Sequence, residues 1–257
     1  MPAAQAVIWD GGSTTSNLAT DAANWVGDVP PNGTGSLNGP AVDFGALDPA
    51  GGMQNTFNYS SGGNSGVWTF LAAAPAMTIN INSNQFGAAT CPTVFQNNSA
   101  FTQTFTGTPL LFDIGATTTS RIFDANTAAI SMPGFTVRGD SAPTAWAIDF
   151  RGSAVGSVST GNWAGSGGPL AGKMIGITKN GTGSWDLQGV IANIGAAVGT
   201  AVTVNGGTLT LSGANTFSGD SVINAGTLAV ANNLALQNTA YQPVEKPRAD
   251  SRSCSCS

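Results

Sequence analysis

The sequence predicts an all-β chain that winds as a parallel β-solenoid. The main observation is a near-repeat close to the C-terminus, where the segment 204–211 (VNGGTLTL) returns as the segment 223–230 (INAGTLAV). A fainter copy of positions 207–211 lies upstream at positions 183–187 (GSWDL). A period of about 20 residues with alternating apolar positions is typical of stacked β-coils.

The composition supports the same fold class. Charged residues make up only 8% of the chain, against about 25% in an ordinary soluble domain. The 35 Gly and the many Asn favour tight turns, and Thr, Val, Ile and Phe favour strands. The net charge of −5 without a basic stripe argues against a nucleic-acid partner. The sequence contains no apolar run long enough to predict a membrane-spanning helix.

Residues 1–6 are predicted to be the remnant of an export signal. Ala4-Gln5-Ala6 is an A-x-A triplet of the kind that precedes signal-peptidase cleavage. We therefore expect a mature N-terminus at Val7 and an extracellular or bacterial cell-surface location.

Residues 7–150 are predicted to be rich in short strands. Apolar and polar residues alternate in segments such as 67–70, 77–81 and 101–105, which recur about every 8 to 14 residues with Gly, Asn or Pro between them. This spacing fits the first coils of the solenoid, and it also fits a separate β domain, such as a glycan-binding sandwich. No convincing amphipathic helix is present.

Three further segments complete the predicted organisation. Residues 151–172 are rich in Gly, Ser and Ala and are expected to form a flexible loop. Residues 173–236 hold the repeats. Residues 237–257 are expected to be a disordered tail, because Lys, Arg, Pro and Cys gather there and the repeat pattern stops.

In the repeat zone, side chains two residues apart share one face of a strand. Three apolar pairs are then predicted to face inward: Trp185 and Leu187, Leu209 and Leu211, and Leu228 and Val230. Coils stacked about 4.8 Å apart would place Leu209 directly beneath or above Leu228. Thr208 and Thr227 would align on the outer face. Asn205 and Asn224 would align at a turn, where stacked amides can form a hydrogen-bonded ladder.

These segments resemble the autotransporter-associated β-strand repeat. Residues 177–189 (ITKNGTGSWDLQG) are similar to its opening, residues 208–219 (TLTLSGANTFSG) to its centre and residues 221–228 (SVINAGTL) to its close. The residues that carry the motif are Trp185, Leu187, Asn205, Gly207, Thr208, Leu209, Leu211, Gly213, Asn215, Phe217, Gly219, Asn224, Gly226, Thr227, Leu228 and Val230. The resemblance implies a right-handed parallel β-helix exported to the bacterial surface, and it implies no catalytic site.

The sequence offers little for catalysis or for holding a cofactor or metal. The absence of His excludes a Ser-His-Asp or Cys-His arrangement. The three Cys, at positions 91, 254 and 256, form no C-x-x-C pair, so we expect neither a zinc site nor another cofactor. Asp113, Asp124, Asp140 and Asp149 are the carboxylates that could meet in space, as in a carbohydrate-active β-helix enzyme. We expect them instead to be turn and edge residues.

Six Trp residues are candidates for stacking on sugars. Trp163 lies in a Gly-rich segment and is the best candidate for an exposed ring, whereas Trp185 is expected to lie in the core. Lys173 and Lys179 are expected to be solvated residues that flank the repeat.

The sequence thus predicts a structural, adhesin-like passenger module without catalysis of its own. The expected partners are surface glycans or other cell-surface proteins, together with a second copy of the chain bound through the open C-terminal coil. The alternative is a carbohydrate-active enzyme or glycan-binding module that uses clustered Asp.

Overall fold

The computed structural model describes residues 6–30, 41–50, 54–59, 66–81, 85–86, 93–107, 109–113, 120–138, 145–165, 174–193, 199–236 and 241–243. Its first strands are β1 (Val7–Trp9), β2 (Val42–Phe44), β3 (Thr56–Tyr59), β4 (Val67–Phe70), β5 (Thr78–Ile81), β6 (Gln85–Phe86), β7 (Val94–Asn97), β8 (Gln103–Gly107), β9 (Leu110–Asp113), β10 (Arg121–Asp124) and β11 (Ile130–Met132). The remaining strands are β12 (Phe135–Arg138), β13 (Ala145–Arg151), β14 (Ser157–Ser159), β15 (Ala164–Gly165), β16 (Met174–Lys179), β17 (Ser184–Leu187), β18 (Gly199–Val204), β19 (Thr208–Leu211), β20 (Ser221–Ile223), β21 (Thr227–Val230) and β22 (Tyr241–Pro243). A 3₁₀ turn at Ala22–Asn24 is the one helical element of the described part.

The strands form three sheets that run side by side along one axis. Sheet A contains β1, β2, β4, β7, β10, β13, β16, β18, β20 and β22 in that order. Sheet B runs from β3 through β5, β8, β11, β14, β17 and β19 to β21, and sheet C contains β6, β9, β12 and β15. The named strands pair in parallel with the strands of the neighbouring coils. The predicted all-β parallel solenoid is therefore confirmed, and its right-handed sense stays a prediction.

Alternation of inward and outward side chains explains why these segments are strands. In β4, β5 and β19 every second residue is buried, as in the sequences VWTF, TINI and TLTL. The inward apolar residues leave water, and the outward Thr and Asn keep contact with it. A single coil would leave its inward apolar side chains exposed to water above and below it. The stability of each coil therefore depends on stacking against the neighbouring coils.

Aromatic rings stacked from coil to coil fill the middle of the solenoid. One inward column of sheet A runs through Trp68, Phe95, Phe123 and Phe150, which are direct partners on successive strands. The Phe95 and Phe123 rings stack with centroids 4.9 Å apart and planes 3° apart. Pairs of this kind stabilise a core beyond the effect of their buried area. The register of sheet A therefore repeats the same inward position at every coil.

The outer edge of β1 is covered by the chain that follows it. Trp25 forms an antiparallel bridge with Trp9, and the two rings meet edge to face at 5.4 Å. The Val26 amide donates to the Ile8 carbonyl, and the Asp10 amide donates to the Asn24 carbonyl. This end of the solenoid therefore presents no open strand edge at β1.

Sheet A joins the two parts of the chain that the sequence left as alternatives. The sheet begins at β1 and includes β13, which pairs with β16 continuously from Ala145–Met174 to Phe150–Lys179. The described strands of residues 7–150 thus lie in the same solenoid as the repeats. A separate sandwich is not what the structure shows.

The prediction of a flexible loop at residues 151–172 is wrong for its described part. Residues 151–165 contain the end of β13 and the strands β14 and β15, and residues 166–172 lie outside the described residues. The cause is that Ser157 and Ser159 face inward, which hides the alternation. The Ser157 hydroxyl accepts the Ile130 amide at 3.1 Å, and the Ser159 hydroxyl accepts Nε1 of Trp163 at 3.1 Å. Small polar residues make room for the neighbouring Trp rings and are themselves satisfied.

The tail prediction is also wrong where the structure describes it. Residues 241–243 form β22, which pairs in parallel with β20, and residues 237–240 and 244–257 lie outside the described residues. Pro243 cannot donate a backbone hydrogen bond, and β22 lies at the edge of sheet A, where a proline is tolerated.

The last coils are shorter than those before them. Fewer residues separate Leu209 from its partner Leu228 than separate Trp185 from its partner Leu209. The described part of sheet C stops at β15, with one further bridge between Trp163 and Ile191. Sheet B ends at β21 among the described strands, and Val230 is 49% exposed there. Self-association through this edge stays a prediction.

Candidate functional site

The repeat coils are the region that the sequence singled out, and their register agrees with the predicted columns. Leu209 of β19 pairs with Leu228 of β21 above it and with Trp185 of β17 below it. Trp185 and Leu209 are buried, and Leu228 at the last coil is half-buried. Thr208 and Thr227 are partners on the outer face.

A second inward column runs beside the first. Leu187, Leu211 and Val230 are successive partners. Leu187 and Leu211 are fully buried, whereas Val230 is exposed because no described strand lies beyond β21 in sheet B. Burial in this zone therefore depends on the presence of a further coil.

Asn215 joins three successive coils at the corner that follows sheet B. Its side-chain oxygen accepts the Ile191 amide at 2.9 Å, and its side-chain nitrogen donates to the Ala235 carbonyl at 3.1 Å. The residue is 1% exposed, and Phe217 beside it is equally buried. A buried carboxamide bonded in both directions holds the corner in one geometry. The segment Asn215-Thr216-Phe217 of the motif thus supplies a bonded amide and a core ring.

Glycines of the motif allow neighbouring corners to approach closely. Gly207 has a φ of +62°, and a Cβ there would overlap the Gly183 carbonyl oxygen and lie 2.8 Å from Nζ of Lys179. Gly226 repeats this position one coil later with a φ of +84°. Gly213 meets the Gly189 carbonyl in the same way, and Gly219 lies in the bend that leads into β20.

An amide ladder follows the outer corner between sheets A and B. The side-chain nitrogen of Asn224 donates to Oδ1 of Asn205 at 2.7 Å, and Asn205 donates to Oδ1 of Asn180 at 3.0 Å. Asn180 in turn donates to Oδ1 of Asp149 at 2.7 Å, and Arg151 contacts Oδ2 of the same carboxylate at 2.6 Å. The predicted alignment of Asn205 and Asn224 is confirmed. The ladder is solvent-accessible rather than buried, and it continues through Asn180 and Asp149 beyond the pair predicted.

Lys179 is inside the solenoid, so the prediction of a solvated flanking residue is wrong. Its side chain is 0% exposed, and Nζ donates to the carbonyls of Asn180 at 2.6 Å, Gly181 at 3.1 Å and Gly206 at 3.4 Å. Burial lowers the pKa of Lys179, and the charge of Asp149 opposes that shift. The alternation that makes Ile177 inward also makes Lys179 inward, and this signal could have found it. Lys173 lies outside the described residues.

The structure describes the position of three of the four candidate catalytic carboxylates. Asp113 belongs to sheet C, whereas Asp124 and Asp149 belong to neighbouring strands of sheet A. Asp124 accepts a hydrogen bond from Gln96 at 3.1 Å, and Asp149 is bonded to Asn180 and Arg151. Asp140 lies outside the described residues. The alternative of a carbohydrate-active groove built from these Asp residues stays a hypothesis.

The tryptophan rings are core residues wherever their side chains are described. Trp163, the best candidate for an exposed ring, is 1% exposed and packs on Phe135, with centroids 4.3 Å apart, so it is buried. Its position beside the small inward Ser159 explains the burial. Other buried Trp residues are Trp9, Trp25, Trp68 and Trp185. The side chain of Trp146, in β13, lies outside the part of the structure that is described.

The outward face of sheet B carries neutral polar side chains on β3, β5, β8 and β11. Thr56, Thr78 and Thr104 are partners on β3, β5 and β8, and Ser131 of β11 continues the column. No group of three or more His, Cys, Asp or Glu within the described ranges could hold a metal ion. Within the same ranges no helix is long and apolar enough to cross a membrane.

Comparison with known proteins identifies a family repeat in the coils that contain β18 to β21. Residues 199–230, from β18 to β21, match the family model described as the passenger-associated-transport-repeat. No curated protein and no solved structure gave a significant match. The chain therefore carries a passenger-associated transport repeat on a β-solenoid, which is consistent with an autotransporter passenger-type β-helix. This repeat implies an exported protein associated with autotransport.

Proposed function

We propose that this passenger-type β-helix is a structural, adhesin-like stem that stands outside the cell and acts without catalysis of its own. The observation that carries the proposal is the continuity of sheet A from β1 to β22, which makes one extended body of the described coils. The transport repeat at residues 199–230 supports export of that body.

A solenoid suits this role because its stability builds up coil by coil. Each coil adds parallel backbone hydrogen bonds and stacked side chains to its neighbours. The sequence of the whole chain has few charges. The outer faces therefore present mostly neutral hydroxyls and amides along the length of the stem.

Display on a bacterial surface tests the proposal. The chain is placed between a signal peptide and an autotransporter translocator in a Gram-negative host, and protease resistance is measured on intact cells. We expect the wild-type chain to appear as a protease-resistant surface protein that makes the cells adhere. Leu211→Asp puts a charge into the inner column and should abolish the resistant core and the adhesion.

Thr208→Asp is the matched control, since Thr208 is an outward residue of the same strand and its partners Ser184 and Thr227 are neutral. This variant should be displayed and protease-resistant like the wild type. A wild-type chain that never becomes accessible at the surface, or that is displayed without any protease-resistant core, would refute the stem.

A further inference from the structure

The outward face of sheet B from β3 to β14 differs from that of sheet A in charge, because those strands contain no charged residue, whereas sheet A carries Asp124 and Asp149. We use the name hydroxyl face for the outward side chains of four threonines and one asparagine on β3, β5 and β8, namely Thr56, Thr78, Thr104, Thr106 and Asn80. Thr56, Thr78 and Thr104 form one column of direct partners, and Asn80 and Thr106 form a second column two residues further along the strands. The buried residues between them, such as Ile79 and Phe105, fix the outward direction of both columns.

On sheet A and at its corner with sheet B, several outward polar groups are bonded to one another, although the outward Thr178 and Thr203 are not among them. Gln96 donates to Asp124, and Asn205 donates to Asn180 across the coils. On the hydroxyl face, the side chains of Thr78, Thr104 and Asn80 make no hydrogen bond to another described residue. These groups keep both donor and acceptor capacity for a molecule outside the protein.

The chemistry of the hydroxyl face restricts what can bind it. The sheet B strands from β3 to β14 contain no Asp, Glu, Lys or Arg, so they offer no partner to a charged ligand. Phe57 and Phe105 of these strands face the core. Protein–protein hot spots are enriched in Trp, Tyr and Arg, and the described outward positions of this face provide none. What remains is a neutral partner that itself carries many hydroxyls, each able to donate and to accept.

We propose that the hydroxyl face binds a neutral, extended polysaccharide chain that runs along the solenoid axis, across the strands. The outward threonines repeat along that direction on β3, β5 and β8, and neighbouring strands lie about 4.8 Å apart. Single hydroxyl contacts are weak, and a polymer that spans several coils adds them together. The inference deepens the proposed adhesin-like function, on which it rests, by naming the face and the class of ligand.

The test is retention of the purified full chain on insoluble neutral polysaccharides, namely cellulose, chitin and starch granules, with carboxymethyl-cellulose as the charged counterpart of the first. The test variant is Thr78→Val with Thr104→Val, which removes two hydroxyls and preserves shape and strand propensity. The matched control is Thr178→Val with Thr203→Val, two outward partners on sheet A. Circular dichroism and thermal unfolding verify that both double variants fold.

The wild type should be retained on at least one neutral polysaccharide and less on the carboxymethylated form. Loss of each hydroxyl should weaken retention about threefold to tenfold, so the sheet B variant should bind about tenfold or more weakly. The sheet A variant should bind like the wild type. No retention on any of the three polymers, or equal weakening by both variants, would overturn the inference.

The two proposals fail in different ways. A chain that is displayed on cells but not retained on the polysaccharides contradicts only the proposal that the hydroxyl face binds polysaccharide. A chain that is retained when purified but never reaches the surface contradicts the stem alone.

Discussion

Lys179 places a positive charge in a column that is otherwise aromatic and aliphatic. It lies between Phe150 and Val204 on neighbouring strands, and its ammonium group is held by carbonyls of two successive corners. A buried charge of this kind persists only when its hydrogen bonds are made. The residue therefore fixes the position of the corners between sheets A and B.

Replacing Lys179 tests that role. Lys179→Met keeps an unbranched apolar chain but leaves the carbonyls of Asn180, Gly181 and Gly206 without their donor. We expect the free energy of unfolding in urea to fall by about 1–3 kcal/mol at neutral pH. The outward change Thr178→Met should alter it by less than about 1 kcal/mol; equal effects of the two variants would contradict the role.

The same residue predicts a dependence on pH. Because burial lowers the pKa of Lys179 below its ordinary value of 10.5, the unfolded chain binds more protons than the folded one between these two values. The wild type therefore gains stability from this group as the pH rises through that window, and Lys179→Met does not. The difference in unfolding free energy between the two proteins should widen as the pH rises towards 10.5; a constant difference would argue against a buried ammonium.

Gly207 offers a test of the close corner contact. Gly207 and Gly27 have positive φ values of +62° and +78°, but a Cβ at Gly27 would meet nothing within 4 Å. Gly27→Ala should cost about 1 kcal/mol from backbone strain alone, whereas Gly207→Ala should cost about 3 kcal/mol or more. Thermal and urea unfolding measure both. Similar losses in the two variants would show that the corners have room to separate.

At the scale of single residues, the sequence predicted inward apolar residues well and inward polar residues poorly. The stacking of Leu209 on Leu228 follows from alternation and the repeat spacing. Lys179 was missed because a charged residue is expected to face water, although its alternation with Ile177 indicates an inward position. Ser157 and Ser159 were missed because small polar residues do not mark an inward position, which here depends on their hydrogen bonds in the core. The burial of Trp163 follows from the same small serine. Partners from other coils cannot be read from one local segment.

At the scale of an element, the amide ladder links successive coils along the corner between sheets A and B. Asn205 makes two ladder bonds, one to Asn180 and one from Asn224, whereas Asn224 makes one. Such ladders stabilise parallel stacks in register, because each amide must meet the one above it.

The ladder predicts a graded loss of stability. Asn205→Ala should lower the free energy of unfolding by about 1–2 kcal/mol, and Asn224→Ala by about half as much, since a net hydrogen bond contributes about 0.5–1.5 kcal/mol. Urea unfolding followed by circular dichroism measures both values. An equal loss, or a larger loss for Asn224→Ala, would show that the ladder contributes nothing beyond the turn itself.

The strand elements were predictable to different degrees. Strands with strict alternation, such as β5 and β19, stand out in the sequence. Strand β14 has the sequence SVS, with its apolar residue outward, and β22 contains Pro243, so neither shows the expected pattern. Pairing with β11, β17 and β20 supplies what local sequence lacks.

At the scale of the whole molecule, the three sheets share one axis, and the faces differ in chemistry. Sheet A carries charged outward residues and bonds some of its polar groups, such as Gln96 and Asp124, to one another, whereas Thr78, Thr104 and Asn80 of the hydroxyl face make no side-chain hydrogen bond to a described residue. The repeat spacing predicted the stacking direction. The repeat spacing did not predict that the described part of sheet C ends at β15. A shorter repeat in the last coils does not indicate which of the three sheets has no strand there.

The central claim is that residues 7–150 and the repeats form one continuous stack, and a designed disulfide between β13 and β16 tests it most directly. Ala147 and Gly176 are partners in sheet A, and strands so paired lie about 4.8 Å apart, which suits a disulfide. In a chain whose Cys91, Cys254 and Cys256 are replaced by Ser, Ala147→Cys with Gly176→Cys should form an intramolecular bridge on mild oxidation, detected by peptide mass spectrometry. Ala147→Cys with Thr178→Cys, two residues out of register, should remain reduced; a folded protein in which the first pair stays reduced, or both pairs bridge equally, would contradict the continuous stack.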